Sequence, residues 1–329
     1  MNFISVLYKM IVLFLIIIIG FVSCKAGIFD KDSRMRVSKL VLNVTLPCTI
    51  LASVMMQDNL PNVSQILMLM LVAMSSYIVF FVAALIVPWI LRVKSSQIDI
   101  YRFMIVFGNV AFIGYPVTQA IFGDGAIFYT SVFNLPFNLL AYSVGVSFIK
   151  ASAGKQTSGD KTAEDKILKK KKAGNVQKTG ISFKTFLTPC MIASVIAIIM
   201  ALCNYKGPLL IGETCDIIGS VTTPAALMII GSSLADMPAK EMFGNVRVYI
   251  FALLNLIIVP LLTYFVFGMF VKEQLLLGVC VITAAMPVAT NGIMLCLEYG
   301  GDEKLMAQGT FITTLASVIT IPIMALLFI

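Results

Sequence analysis

The sequence predicts an all-α polytopic membrane protein whose ten transmembrane helices form two inverted five-helix repeats, with broken helices 4 and 9 crossed. Three observations lead there. Of 329 residues, 59% are hydrophobic and only 12% charged, too little polar surface to cover a soluble domain of this length. Apolar runs of spanning length, about twenty residues or more each, recur ten times. Two of those runs carry Pro, Asn and Gly in mid-span at corresponding places in the two halves, the pattern expected around a secondary transporter's binding site.

The runs fall at roughly 3–24, 37–56, 63–91, 100–122, 126–149, 185–203, 209–235, 246–271, 274–299 and 305–328. In the first, Lys9, an apolar core and Phe21-Val22-Ser23-Cys24 loosely imitate a secretory signal. Removing it would delete one member of the repeat, so it is read as a span. The second holds Val44-Thr45-Leu46-Pro47. The fourth holds Gly108-Asn109-Val110-Ala111-Phe112-Ile113-Gly114-Tyr115-Pro116. Pro116 lacks an N–H and its ring clashes one turn back, so the helix is expected to break or kink just before it. A Pro-kinked packing helix is the alternative. The fifth run places Asn134 and Asn138 four apart, hence on one helix face.

A polar stretch, 150–184, then divides the chain into 1–149 and 185–329. Its ten Lys stand against Asp160, Glu164 and Asp165 and supply nearly all of the net +8. Lys169, Lys170, Lys171 and Lys172 are a candidate contact for anionic lipid, or simply part of a solvated linker that sets topology. In the second half, the seventh run holds Val221-Thr222-Thr223-Pro224 and the ninth Ala284-Ala285-Met286-Pro287-Val288-Ala289-Thr290-Asn291-Gly292. Glu298, the acid well inside a spanning run, lies about 16 Å along the helix from Pro287.

Charge orients the spans. Allotting each Lys and Arg to its nearest loop puts 21 of the 24 on one side and leaves Lys9, Lys206 and Lys272 on the other. Both termini are therefore expected outside the cell membrane, with 150–184 in the cytoplasm. With no His in the chain, imidazole relays and His-ligated metals are excluded. The seven Cys are scattered singly through apolar runs without a C-x-x-C and read as small packing residues. The absence of a nucleophile–base pair, metal cluster or phosphate loop argues against an enzyme.

The halves match at a nearly constant offset. Val44–Pro47 corresponds to Val221–Pro224 at 177, and Phe122-Gly123-Asp124 to Gly300-Gly301-Asp302 at 178, so that Asn109 falls opposite Pro287. Five spans per half is odd, so the second half is inverted and spans 4 and 9 meet at mid-membrane. Half-helix N-termini crossing there would form an anion site that needs no Arg. A carboxylate would be held by backbone donors around Pro116 and Pro287, with Gly114, Tyr115, Thr290 and Gly292 lining the site and the Asn109 and Asn291 amides adding donors. Each Asn could equally be a satisfied interhelical hydrogen bond or a cap. Asn134, Asn138, Thr45 and Glu298 are secondary candidates, for an ion or for helix–helix contact.

Lys39–Pro47, Gly108–Pro116, Thr223-Pro224-Ala225-Ala226-Leu227 leading to Gly231-Ser232-Ser233-Leu234-Ala235-Asp236, and Ala284–Pro287 through Tyr299-Gly300-Gly301-Asp302 together resemble the auxin efflux carrier family in its bacterial, malate-permease-like form. That family belongs with the bile acid–sodium symporter-like transporters. The resemblance implies a scaffold from helices 1, 2, 6 and 7, a transport domain from helices 3–5 and 8–10, elevator-type motion and an organic-anion substrate. In plant members the crossing prolines and a nearby Asn hold the carboxylate. The matching positions here are Pro116, Pro287 and Asn109, while Asn291 is inferred from position alone. The plant members' very long central loop is replaced here by a short basic one, and a complete sodium site is not matched.

The expectation is a secondary transporter of a small organic anion without a cofactor, the coupling ion being H+ or Na+ or neither. A sodium-coupled symporter of the bile acid type and a non-transporting membrane sensor are the alternatives. Expected partners are the anion and membrane lipid, with no nucleic acid; a homodimer is one option for the assembly.

Overall fold

The computed structural model describes residues 3–57, 60–159, 188–237 and 243–328. Its elements are helices, and among the described residues there is no β-strand beyond one isolated bridge. In chain order they are α1 (Phe3–Lys25), α2 (Lys31–Met55), α3 (Val63–Ile90), α4 (Ile98–Val106), α5 (Val110–Phe122), α6 (Gly125–Lys155), α7 (Pro189–Leu202), α8 (Leu209–Asp236), α9 (Val246–Gly268), α10 (Gln274–Ala284), α11 (Asn291–Tyr299) and α12 (Glu303–Phe328). Seven of these, α1, α2, α3, α6, α8, α9 and α12, are long and apolar enough to cross a membrane. The predicted fourth run divides into α4 and α5, and the ninth into α10 and α11. Lys169–Lys172 and most of the 150–184 linker lie outside the described residues.

Large apolar side chains such as Leu71, Ile78, Trp89, Ile217, Phe265 and Ile319 are exposed on the outside of the bundle. In water such a surface would drive association; in lipid it is the expected solvent-facing surface, and the chain is a multi-pass membrane protein. Polar N-caps mark several helix starts. Asn62 and Gln65 form a reciprocal capping box on α3, and Asp30 accepts from the Ser33 N–H at 2.8 Å at the start of α2.

Proline sets the local geometry of three spans. Wide π turns occupy Val41–Thr45 in α2, Val110–Gly114 in α5, Ala141–Gly145 in α6 and Leu254–Ile258 in α9. All but the one in α6 end two residues before a proline: Pro47, Pro116 and Pro260. The ring would collide with the carbonyl four residues back and offers it no N–H. Widening the preceding turn relieves both problems without ending the helix. Just before Pro116, where a break or kink was expected, the helix widens without ending; the unwound break lies seven residues earlier, at Gly108-Asn109.

Three apolar clusters build the interior. One joins the ends of α3, α4 and α6 to α9, α11 and α12 around Phe103 and Phe107. A second packs α2, the first half of α3, α6, α7 and α10 around Leu46, Ile50 and Phe128. A third packs α1, α5 and α8 with the ends of α10 and α12. Phe107 and Val288 belong to the first, Phe112 and Tyr115 touch the second, and Val110 and Met286 belong to the third. The helix breaks therefore sit where the three cores meet.

The α1 helix and the second half of α8 approach one another closely. There is no room for a Cβ at Gly231, which would fall on the Ile17 carbonyl, or at Gly20, which would fall on Met228. Small residues let backbones approach in this way where lipid supplies no hydrophobic drive. At the polar end of the same pair Arg34 meets Asp236 at 2.6 Å and donates to the Ser232 carbonyl at 3.0 Å.

Gly231→Ala is therefore expected to lower stability by about 1–3 kcal/mol through overpacking. Gly244→Ala, where an added Cβ meets nothing within 4 Å, is expected to leave it unchanged. Thermal unfolding of the purified protein compares the two.

Candidate functional site

The two interrupted spans meet at their breaks. After α4, Phe107 and Asn109 leave helical conformation, with φ/ψ of −114/87 and −80/67. After α10, residues 285–290 run irregularly to α11. The two segments lie antiparallel, with Gly108 opposite Val288. The Asn109 N–H donates to the Pro287 carbonyl at 2.6 Å, and the Ala289 N–H donates to the Phe107 carbonyl at 3.0 Å. Each break thus satisfies the other. The α12 helix adds the Thr313 hydroxyl, which accepts from the Val288 N–H at 3.1 Å. Gly108 suits this approach: a Cβ there would sit 3.2 Å from the Met286 Cβ and 3.3 Å from its carbonyl, tight enough that Met286 would have to give way slightly.

These bonds take up several of the expected anion donors. The Val288 and Ala289 N–H groups beside Pro287 are engaged, and so are the Gly114 and Tyr115 N–H groups beside Pro116, which donate to Asn109 and Val110 carbonyls. A side-chain donor stands beside them. Asn109, 3% exposed, caps α5 by accepting from the Phe112 N–H through Oδ1 at 3.2 Å. That bond fixes the orientation of the carboxamide and leaves Nδ2 buried without a partner. An unsatisfied buried donor costs about 1–3 kcal/mol. The N-terminal ends of α5 and α11 both start at the crossing and carry partial positive charge.

Other predicted residues separate into three groups. Thr290 and Asn291 open α11, and the Asn291 Oδ1 is buried without a partner. Gly292 is packed, its missing Cβ position lying 2.7 Å from Phe103 and 2.8 Å from the Met306 sulfur. Gly114 and Pro116 lie within α5, where Tyr115 faces the second core; its buried hydroxyl and the buried Asn134 Oδ1 lie near one another, neither with a partner. Asn138 donates to the Asn134 carbonyl in its own helix at 3.1 Å. Away from the crossing, Thr45 accepts from the Thr222 hydroxyl at 2.8 Å, with Thr49 alongside, where α2 meets α8. Glu298 is exposed near the end of α11.

Sequence reasoning missed the threonines of α12. Thr310 and Thr314 flank Thr313 on one helix face, and both hydroxyls are buried without partners. The spacing Thr310, Thr313, Thr314, Ser317 repeats at three and four residues, so a polar stripe was readable on the last span.

Comparison with known proteins follows this geometry. A family profile described as "Membrane transport protein" matches residues 5–325. An uncharacterized transporter of Methanocaldococcus jannaschii is 23% identical over 326 residues, covering 94% of this chain and 95% of the relative. The "Putative malonate transporter" of Rhizobium meliloti is 22% identical over 248 residues, covering 75% and 72%. An uncharacterized transporter of Methanothermobacter thermautotrophicus is 20% identical over 310 residues, covering 94% and 93%.

The hydrogen-bond pattern makes a contrast within one helix. Thr313→Val strands the Val288 N–H and is expected to destabilise by about 1–3 kcal/mol. Thr310→Val removes a hydroxyl with no partner and is expected to be neutral or stabilising. Thermal unfolding of the two variants side by side reads the difference.

Proposed function

The chain belongs to the membrane transport protein family, and on that premise we propose that it is a secondary carrier of a small organic anion, a mono- or dicarboxylate, across the cell membrane. The observation that carries this reading is the Asn109 carboxamide, held by its capping bond with Nδ2 left unpartnered where two helix N-termini converge. A carboxylate would accept from that donor and be favoured by both helix ends. The malonate transport in the name of the Rhizobium meliloti relative is in keeping with a short carboxylate.

The proposed architecture is ten spans in two inverted repeats. Two contacts support it. Thr45 and Thr222, 177 apart, hydrogen-bond to each other, as do Asn109 and Pro287, 178 apart. Residues related by a two-fold axis meet one another only close to that axis, and these two pairs share nearly one offset. The packing of α1, α2, α7 and α8 on one another suits a scaffold, against which α3–α6 and α9–α12 would move as the transport domain in elevator-type alternating access. Both termini are placed outside, with the basic linker in the cytoplasm.

A second reading, sodium-coupled symport, draws on Asn291 Oδ1 and the Thr310 and Thr314 hydroxyls, buried oxygens without partners of the kind a hard cation takes. A sodium gradient that drives uptake, where a potassium gradient does not, selects it.

Flux from proteoliposomes tests the carrier directly, with malonate as the first probe. Asn109→Ser keeps a good N-cap but removes the Nδ2 donor without adding charge, so flux is expected to fall about tenfold or more, equivalent to at least one charge-assisted hydrogen bond, with little change in stability. Full flux in this variant moves the anion site elsewhere. Saturable carboxylate binding without flux in the wild type favours the sensor.

Topology is open to labelling. In a variant lacking native cysteines, Arg36→Cys is expected to react with an impermeant maleimide only from the cytoplasmic side, and Lys206→Cys only from outside. The reverse pattern inverts the orientation.

A further inference from the structure

The two broken spans are held unequally by the rest of the molecule. The α5 helix packs on α1 and α8, and its Ile113, Val117 and Ile121 share the third core with Leu13 of α1 and with Leu227 and Ile230 of α8. Its counterpart in the second half, α11, packs on α6 and α12. Among the described residues, no helix of the proposed scaffold packs on α11 to a like extent, and the Met294 and Leu297 side chains of α11 are exposed. The scaffold thus covers the crossing from the α5 side and leaves the α11 side, cytoplasmic in the proposed orientation, less covered. A polar chain ties the covered side. The Thr223 hydroxyl of α8 donates to Gln119 Oε1 of α5 at 3.0 Å, and Gln119 Nε2 donates to Asp124, in the turn between α5 and α6, at 2.8 Å. At the same turn the Gln57 amide, just beyond α2, lies against Gly125, where a Cβ would sit 2.9 Å from its Nε2.

We propose that Gln119 and Thr223 form a latch that holds this access state, with α5 drawn against the scaffold. The inference rests on the carrier reading and its division into two domains. Its physical basis is an inequality between the halves. The offsets of 177 and 178 carry Thr223 back onto Leu46 and Gln119 forward onto Leu297, and both of these are apolar. When the halves exchange roles, so that α11 rather than α5 lies against the scaffold, Leu297 and Leu46 stand where Gln119 and Thr223 stood, and that hydrogen bond has no equivalent. Only a contact that differs between two states shifts their equilibrium. This one is made in the first state alone and favours it by the net worth of one hydrogen bond, about two- to tenfold in population. A bias of that size sets the resting state and still permits turnover.

The test reads the equilibrium without substrate, by double electron–electron resonance on full-length protein in nanodiscs. In a variant lacking native cysteines, spin labels are attached at Leu210→Cys on α8 and Met269→Cys just after α9. Both positions are exposed, and one lies on each proposed domain. Gln119→Leu and Thr223→Val are each expected to raise the minor distance population about two- to tenfold. The double variant is expected to go no further than either single one, because both remove the same bond. With Gln119→Cys and Thr223→Cys in place of the spin labels, bridging by a short bis-methanethiosulfonate is expected to stop malonate flux until reductant is added. A distance distribution that both single variants leave unchanged overturns the latch, as does a bridged protein that still carries flux. Distances that shift as expected in a protein that carries no carboxylate at all uphold the latch and overturn the carrier reading instead.

Discussion

Everything at the centre of this molecule depends on one constraint: a main-chain N–H or carbonyl at membrane depth must find a partner inside the protein. Breaking one helix in lipid would strand several such groups at once. Breaking two at the same depth solves the problem, because the frayed segments can bond to each other. The paired bonds at Asn109–Pro287 and Phe107–Ala289 are that solution, and Thr313 supplies the bond that the pair cannot make for Val288. Gly108 suits the same need, since a side chain there would press on Met286 of the other segment. A site built in this way is rigid in its main chain. Its adaptable chemistry is left to side chains at the edge, above all the Asn109 amide, which is tied at one end and free at the other.

The prolines belong to a different layer of the design than their prominence suggests. Pro47, Pro116 and Pro260 each follow a π turn, and none ends its span. Because a π turn inserts one residue, it rotates everything beyond it by about 100° relative to an uninterrupted helix. In α5 that rotation turns Tyr115 toward the second core while Val110 faces the third. Proline here aims the helix faces, and the glycine–asparagine pair upstream does the unwinding.

Much of this was legible. The apolar runs and the two interrupted spans stand out because lipid imposes a length and penalises polarity. The position of the break within the fourth run was not legible. Pro116 is the stronger local signal, but whether a helix yields by widening or by unwinding depends on what packs beside it, and the partner of Gly108 is 180 residues away. Which of the expected backbone donors are taken up was hidden for the same reason, since sequence names the groups but not their long-range acceptors. Thr313 looked like any polar residue in a span until Val288 was placed against it.

The lack of a charged side chain at the crossing has an energetic consequence for the proposed carrier. A site whose positive character comes from helix ends and amides carries no compensating charge when it moves, so the charge translocated is that of the anion itself. With the interior negative, each charge is worth about 2.3 kcal/mol per 100 mV, and a dianion such as malonate about twice that. Export of the bare dianion is therefore driven by the potential alone, by a factor of more than a thousand at 100 mV. Uptake requires that at least two cations enter with each dianion merely to cancel the potential, and a third to gain from it. The chemistry of the crossing thus favours outward movement of the anion, or exchange of one dianion for another, in which the charges cancel and no coupling ion is needed.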